Sequence, residues 1–164
     1  MTQDLGVGSH APILAAAVAR TTGPVYEFGM GHWSSWMLHL LCQPNRPLVS
    51  YESDAEWASK FASLSTPLHA IRHVKDWQKE ESIDAAFGSV AFVDHSPGEE
   101  RIRTIVRLKG RFKYIVVHDT CADLPGSGGN YGWKALEGRF KYEVIYKQVR
   151  PWTTIYSDME AFAL

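Results

Sequence analysis

The sequence predicts an α/β domain with a mostly parallel sheet covered by helices on both faces. Helix-type and strand-type segments alternate along its 164 residues. The clearest strands, at 90–93 and 114–117, are continuous apolar runs rather than in-and-out alternations. Strands buried on both faces must be apolar throughout, and helices supply the cover. The last two strand segments, at 142–146 and 153–156, have only residues 147–152 between them. That leaves no room for a crossover helix, so these two are predicted to run antiparallel to each other.

The first element is an Ala-rich helix at 11–20, closed by Thr21-Thr22-Gly23-Pro24. Val25-Tyr26-Glu27-Phe28 is a short buried strand running into glycines. A helix at 34–42 is stopped by Pro44 and Pro47, and the next strand begins at Leu48 and ends at Glu52. Ser53 and Glu56 form a capping-box pattern, predicting a helix that ends near Ser63. Strands follow at 68–73, 90–93 and 114–117. The last two are joined by a helix at 97–109, whose Glu99 and Glu100 start and Arg107 and Lys109 finish suit the helix dipole. A glycine-rich loop at 125–132 leads to a short helix ending at Gly138. The pentapeptide at 110–114, Gly-Arg-Phe-Lys-Tyr, recurs at 138–142, each copy placed where a left-handed glycine would stop a helix before a strand.

Composition excludes several classes. Lysine and arginine number 17 against 18 aspartate and glutamate, giving a net charge of −1, without the basic excess of a dedicated nucleic-acid or anionic-membrane binder. Two cysteines, Cys42 and Cys121, are too few for a secreted disulfide framework. The start, Met1-Thr2-Gln3-Asp4, carries no secretory pattern, and no apolar run approaches membrane-spanning length. One soluble, cytoplasmic domain over residues 1–164 is the expectation; the oligomeric state stays open.

Chemistry concentrates at the ends of the strands. Glu27-Phe28-Gly29-Met30-Gly31-His32-Trp33-Ser34 joins a strand to a helix N-terminus through two glycines, which let the backbone turn sharply and approach a ligand. Glu52, at the end of the next strand, is placed to accept from ribose hydroxyls. A dinucleotide site wants a third small glycine where this chain has Ser34, which counts against a nucleotide-dependent oxidoreductase. Glu27 stands where such a fold carries an apolar residue, and a carboxylate there suits an α-ammonium group. An acid for an ammonium, close glycine backbone and an acid for a ribose together describe S-adenosylmethionine (SAM). Asp94 and His95 end the fourth strand, and His118, Asp119 and Thr120 end the fifth; both sets fall on the carboxyl edge, where open α/β sheets bind ligands.

The stretches from Val25 to Ala58 and from Phe92 to Thr120 resemble the class I SAM-dependent methyltransferases. The E-F-G-x-G and Y-E-S-D motifs match their cofactor motifs, and V-D-H and V-H-D-T match the acceptor-side segment of small-molecule O-methyltransferases of the macrolide-sugar and cephalosporin-biosynthesis group. The resemblance implies a Rossmann-like, seven-stranded sheet with an antiparallel last strand. It also implies cofactor contacts by Glu27, Gly29, Gly31, Ser34, Glu52, Ser53, Asp76, Trp77 and Asp94, and catalytic roles for Asp94, His95 and Asp119. Asp76 would accept from the adenine amine under cover of Trp77, although the residues alone read equally as a turn aspartate and a core tryptophan. A Mg²⁺ ion on Asp94 and Asp119 would match the metal-dependent branch, but no third ligand is evident and no metal is assigned. The expected substrate is a small or glycosidic acceptor. Two departures are the absence of the long N-terminal cap of many relatives and Lys109-Gly110-Arg111 in place of the usual double glycine. The alternative is a non-catalytic SAM-binding module or partner subunit. Trp133, next to the glycine-rich loop, reads as core or as a cover over the acceptor.

Overall fold

The computed structural model describes residues 3–4, 6–124 and 129–164. Its sheet contains seven strands: β1 (Val25–Phe28), β2 (Leu48–Glu52), β3 (His69–His73), β4 (Gly88–Val93), β5 (Phe112–Val117), β6 (Tyr142–Tyr146) and β7 (Thr153–Ser157). Their spatial order is β3-β2-β1-β4-β5-β7-β6. The first five are mutually parallel, and β7 inserts antiparallel to both β5 and β6. The Rossmann-like reading, including the antiparallel last strand, therefore stands.

The continuous apolar strands feed two cores, one on each face. Val90 and Phe92 of β4 pack with Leu14, Val18 and Leu38 of helices α1 (Ala11–Ala19) and α2 (Ser34–Cys42). Ala91 and Val93, pointing the other way, pack with Ile105 and Leu108 of α4 (Arg101–Leu108). Alternate side chains of one strand thus enter opposite cores, which explains why the strand lacks a polar face.

Several boundaries shift. The helix after β2 is short, α3 (Ala55–Ser59), and its N-cap is Asp54, which accepts from the Trp57 amide; Ser53 is not the cap. Asp54 is itself a good N-cap type, and the S-x-x-E pattern one residue earlier masks it. The segment before α4 opens as a 3₁₀ turn, Gly98–Glu100. The short helix before Gly138 is also 3₁₀, Trp133–Leu136. Gly110 and Gly138 adopt φ of 73° and 67°, the left-handed stops that the repeated pentapeptide predicts. Residues 125–128 of the glycine-rich loop lie outside the described residues. No helix among the described residues is long and apolar enough to cross a membrane.

Candidate functional site

The strand order reverses between β1 and β4, so a crevice opens at their carboxyl ends. There the Asp94 amide donates to the Phe28 carbonyl and the Gly29 amide to the Tyr51 carbonyl. Gly29 has φ of 96°, and a Cβ on it would stand 2.5 Å from the His95 backbone, so glycine is required for the chain to pass. Gly31 differs: a Cβ there would meet only the Ser34 hydroxyl, at 3.3 Å.

Glu52 ties this turn down. One of its carboxylate oxygens accepts from the Met30 amide at 2.9 Å, the other from the Ser53 and Asp54 amides at 2.7 and 2.9 Å. Ser53 and Asp76 line a neighbouring cleft with Ser96, Pro97 and Glu100. Asp76 accepts from the Gln78 amide and pairs with Lys79 at 3.0 Å, and that lysine contact holds its carboxyl below the usual range.

Four of the expected site residues, Glu27, Ser34, Trp77 and His95, are buried. Glu27 is fully buried, accepting from Ser35 at 3.0 Å and from Ser50 at 2.5 Å. Ser34 is buried beside it. Burial pushes the Glu27 carboxyl up to about 7, against the opposing hydroxyls of Ser34, Ser50 and Ser35. Ser35 also accepts from the Gly31 amide, so the buried acid props the glycine turn from beneath. Trp77, the expected adenine cover, is core: its ring stacks on His95 at 4.0 Å and its indole N–H donates to the Ser96 carbonyl. His95, the expected acid–base group, lies under that ring, with Nε2 2.9 Å from the Thr104 hydroxyl; burial drives its pKa down to about 3. Trp133 is also core, its indole N–H held by the Asp119 carbonyl.

The groups that do converge are Asp94, His118 and Asp119, around an arginine that the sequence reading passed over. A cleft of about 360 Å³ is lined by these three with Gly6, Arg101 and Pro151. Arg101, 4% exposed, reaches from the first turn of α4 across the ends of β4 and β5. Its Nη1 lies 3.0 Å from Asp94 Oδ1 and 3.2 Å from Asp119 Oδ2. Nε donates to the His95 carbonyl at 2.7 Å and Nη2 to the Asp94 carbonyl at 3.1 Å. Asp119 has φ of 60°, the sole non-glycine left-handed residue among those described, which turns its carboxylate back toward the arginine.

His118 Nδ1 lies 3.2 Å from Asp94 Oδ2, and Nε2 lies 2.9 Å from the Ser9 hydroxyl. Because Ser9 spends its own proton on the Pro151 carbonyl, at 2.6 Å, its oxygen accepts from Nε2. Both imidazole nitrogens are therefore placed to donate, an arrangement that favours the protonated ring. Burial alone would lower its pKa, but the carboxylates of Asp94 and Asp119 outweigh it and raise the group. Burial likewise works to raise the Asp94 carboxyl, yet His118 and Arg101 hold it below the usual range.

A divalent cation on Asp94 and Asp119 does not fit this arrangement, because the guanidinium occupies the position between the two carboxylates. The chemistry available is that of two carboxylates, a buried guanidinium and an imidazole at one end of an open cleft.

No family model matches the sequence, and no curated protein matches it. Solved structures do. The O-methyltransferase TomG from Streptomyces achromogenes, described as involved in tomaymycin synthesis and solved with SAM, superposes with a TM-score of 0.62 at 17% identity, over 95% of this chain and 82% of that one. The bifunctional kinase-methyltransferase WbdD gives 0.61 at 14% identity, over 92% of this chain; the chain spans 38% of WbdD. The 16S rRNA methylase ArmA gives 0.53 at 12% identity, over 92% of this chain and 81% of that one. With its strand order, antiparallel last strand and glycine turn at the switch point, the chain has the fold of the class I SAM-dependent methyltransferases.

Proposed function

We propose that this chain is a SAM-dependent methyltransferase that methylates an oxygen of a small or glycosidic acceptor. The observation that carries the reading is the pairing of an open Gly31 turn, anchored to Glu52, with the cluster of carboxylates, guanidinium and imidazole one strand away. SAM lies along the carboxyl edge, its ribose toward Glu52 and its adenine toward Ser53 and Asp76, while the backbone of Gly29 and Gly31 lets the amino-acid portion approach closely. Asp94 then stands near both the sulfonium methyl and the acceptor. Transfer is an in-line displacement at that methyl, so the protein has to position the acceptor and remove its proton. Asp94 accepts the hydrogen bond of the acceptor's hydroxyl and orients it, the proton passing by way of that carboxylate to solvent as the oxygen takes the methyl, and Arg101 and His118 hold the carboxylate in place. The net charge of −1 favours a small acceptor over a nucleic acid.

The test is a screen of hydroxylated small molecules and sugars for transfer of a labelled methyl from SAM, with Asp94→Asn as the control. The variant should bind SAM nearly as well as the parent, while turnover falls by ~10²-fold or more, the scale of positioned acid–base catalysis. Full activity in folded Asp94→Asn would remove the residue from the mechanism.

A further inference from the structure

We propose that Arg101 is a built-in replacement for a divalent cation: its guanidinium holds Asp94 and Asp119 in the arrangement a metal ion would otherwise impose, and the site takes up no metal. The inference concerns metal occupancy and stands or falls independently of SAM binding.

A hard divalent ion needs several oxygen ligands converging without a competing positive charge. At the ends of β4 and β5 the two carboxylates converge, but on the guanidinium nitrogen that sits 3.0 Å from one and 3.2 Å from the other. The arginine is not a loose surface side chain that could swing aside. It is 4% exposed, it is bound by the backbone carbonyls of His95, Asp94 and His118, and the Tyr131 ring covers it at 5.2 Å. A buried arginine stripped of its carboxylates would be left uncompensated, so an incoming ion would have to expel a charge with nowhere to go.

Charge counting agrees. Asp94 and Asp119 supply two negative charges, and the Arg101 guanidinium already places a fixed positive charge between them. A dication would add to that positive charge.

A softer ion has a rival claim. His10, Asp94 and His118 offer ligand atoms within 4.8 Å of one another. His10 is 2% exposed, and neither of its ring nitrogens has a hydrogen-bond partner among the described residues. Both nitrogens of His118, however, are engaged, with Asp94 and Ser9, and Asp94 is shared with Arg101. Of the two imidazoles only His10 has ring nitrogens without a partner among the described residues, and one imidazole does not make a metal site.

The experiment is a Mn²⁺ titration followed by the electron paramagnetic resonance of the free ion, on the full chain and its variants. The parent should take up no stoichiometric Mn²⁺. Arg101→Gln removes the charge with little loss of volume and should bind one Mn²⁺ per chain, about a hundredfold or more tighter than the parent, the scale of losing a unit charge at contact distance. Adding Asp119→Asn should abolish that uptake. Arg101→Lys keeps a cation in place and should stay without Mn²⁺, an outcome a merely structural role for the side chain would not predict. One Mn²⁺ bound by the parent, or none by folded Arg101→Gln, overturns the proposal, as does equal uptake by the Lys and Gln variants. One Co²⁺ per parent chain, lost in His10→Gln, overturns it in favour of the imidazole pair. Should Arg101→Gln fail to fold by circular dichroism, Arg101→Met removes the charge in its place, with the same two outcomes deciding.

Discussion

Two glycines two residues apart do different work. Gly29 is needed by the fold, because its positive φ and the 2.5 Å approach to the His95 backbone leave no place for a Cβ. Gly29→Ala should destabilise the domain by about 2–4 kcal/mol, measured by urea unfolding. Gly31 has space around it, so Gly31→Ala should unfold at nearly the parent's denaturant midpoint. Its methyl would nonetheless occupy ground along which the cofactor is proposed to lie, and SAM affinity should drop by about tenfold or more in calorimetry. Loss of stability in Gly31→Ala, with affinity intact, would reverse the assignment. The sequence marks both glycines alike, since a one-letter pattern carries neither φ nor the neighbour across the turn. The same limit explains Glu27 and Trp77. Residue type placed an acid and an aromatic at the right distance along the chain, while burial and partners, Ser35 and Ser50 for one and His95 for the other, are three-dimensional facts. Arg101 left a faint mark in the sequence: an arginine in the first turn of a helix opposes the dipole. A local rule broken in this way often signals a functional site.

At the scale of elements, the polar seam between β1, β2 and α2 is the unusual part. Glu27 accepts from Ser35 of α2 and Ser50 of β2, and Ser50 also meets His69 of β3 at 2.9 Å. Burial gives the Glu27 carboxyl a pKa of about 7 against 4.5 for an unperturbed one. The folded state therefore holds this proton more tightly than the unfolded state. The stability it contributes is fully present below about 4.5 and is lost as pH rises through about 7. Glu27→Gln removes the titration while keeping the shape. The stability of the variant relative to the parent should thus rise by on the order of 3 kcal/mol between pH 4.5 and pH 7.5, read from urea unfolding at a series of pH values. A difference that stays flat with pH would mean that the carboxyl has an ordinary pKa. The elements that build this seam were legible because β1, β2 and α2 are short, well-punctuated runs ended by Gly29, Ser53 and Pro44. Their polar pairing was not, because it depends on register: Glu27 stands beside Ser50 only once β1 and β2 align.

Across the whole molecule, the two cores lock the strand order, and the order decides where a ligand can enter. β1 and β4 send their connections to opposite sides, so the crevice falls at Gly29 and Asp94, with Glu52 on one flank and Asp119 on the other. Strand alternation and the final hairpin-like pair were enough to foresee the sheet, since both follow from apolar runs and loop lengths. The proposed cofactor site can be tested through the stability of the entire fold, because a ligand that binds only the native state raises its unfolding free energy by mass action. SAM at a hundred times its dissociation constant should contribute about 2.7 kcal/mol. For a chain of this size that is a rise in melting midpoint of roughly 5–10 °C. NAD should give no rise, since Ser34 stands where a dinucleotide site needs a glycine. Glu52→Ala should abolish most of the SAM shift, but the variant's own midpoint must be measured first, because the Met30, Ser53 and Asp54 amides lose their acceptor. A shift with NAD and none with SAM would discard the methyltransferase reading. A full SAM shift on a folded Glu52→Ala background would keep the reading and move the ribose elsewhere along the sheet edge.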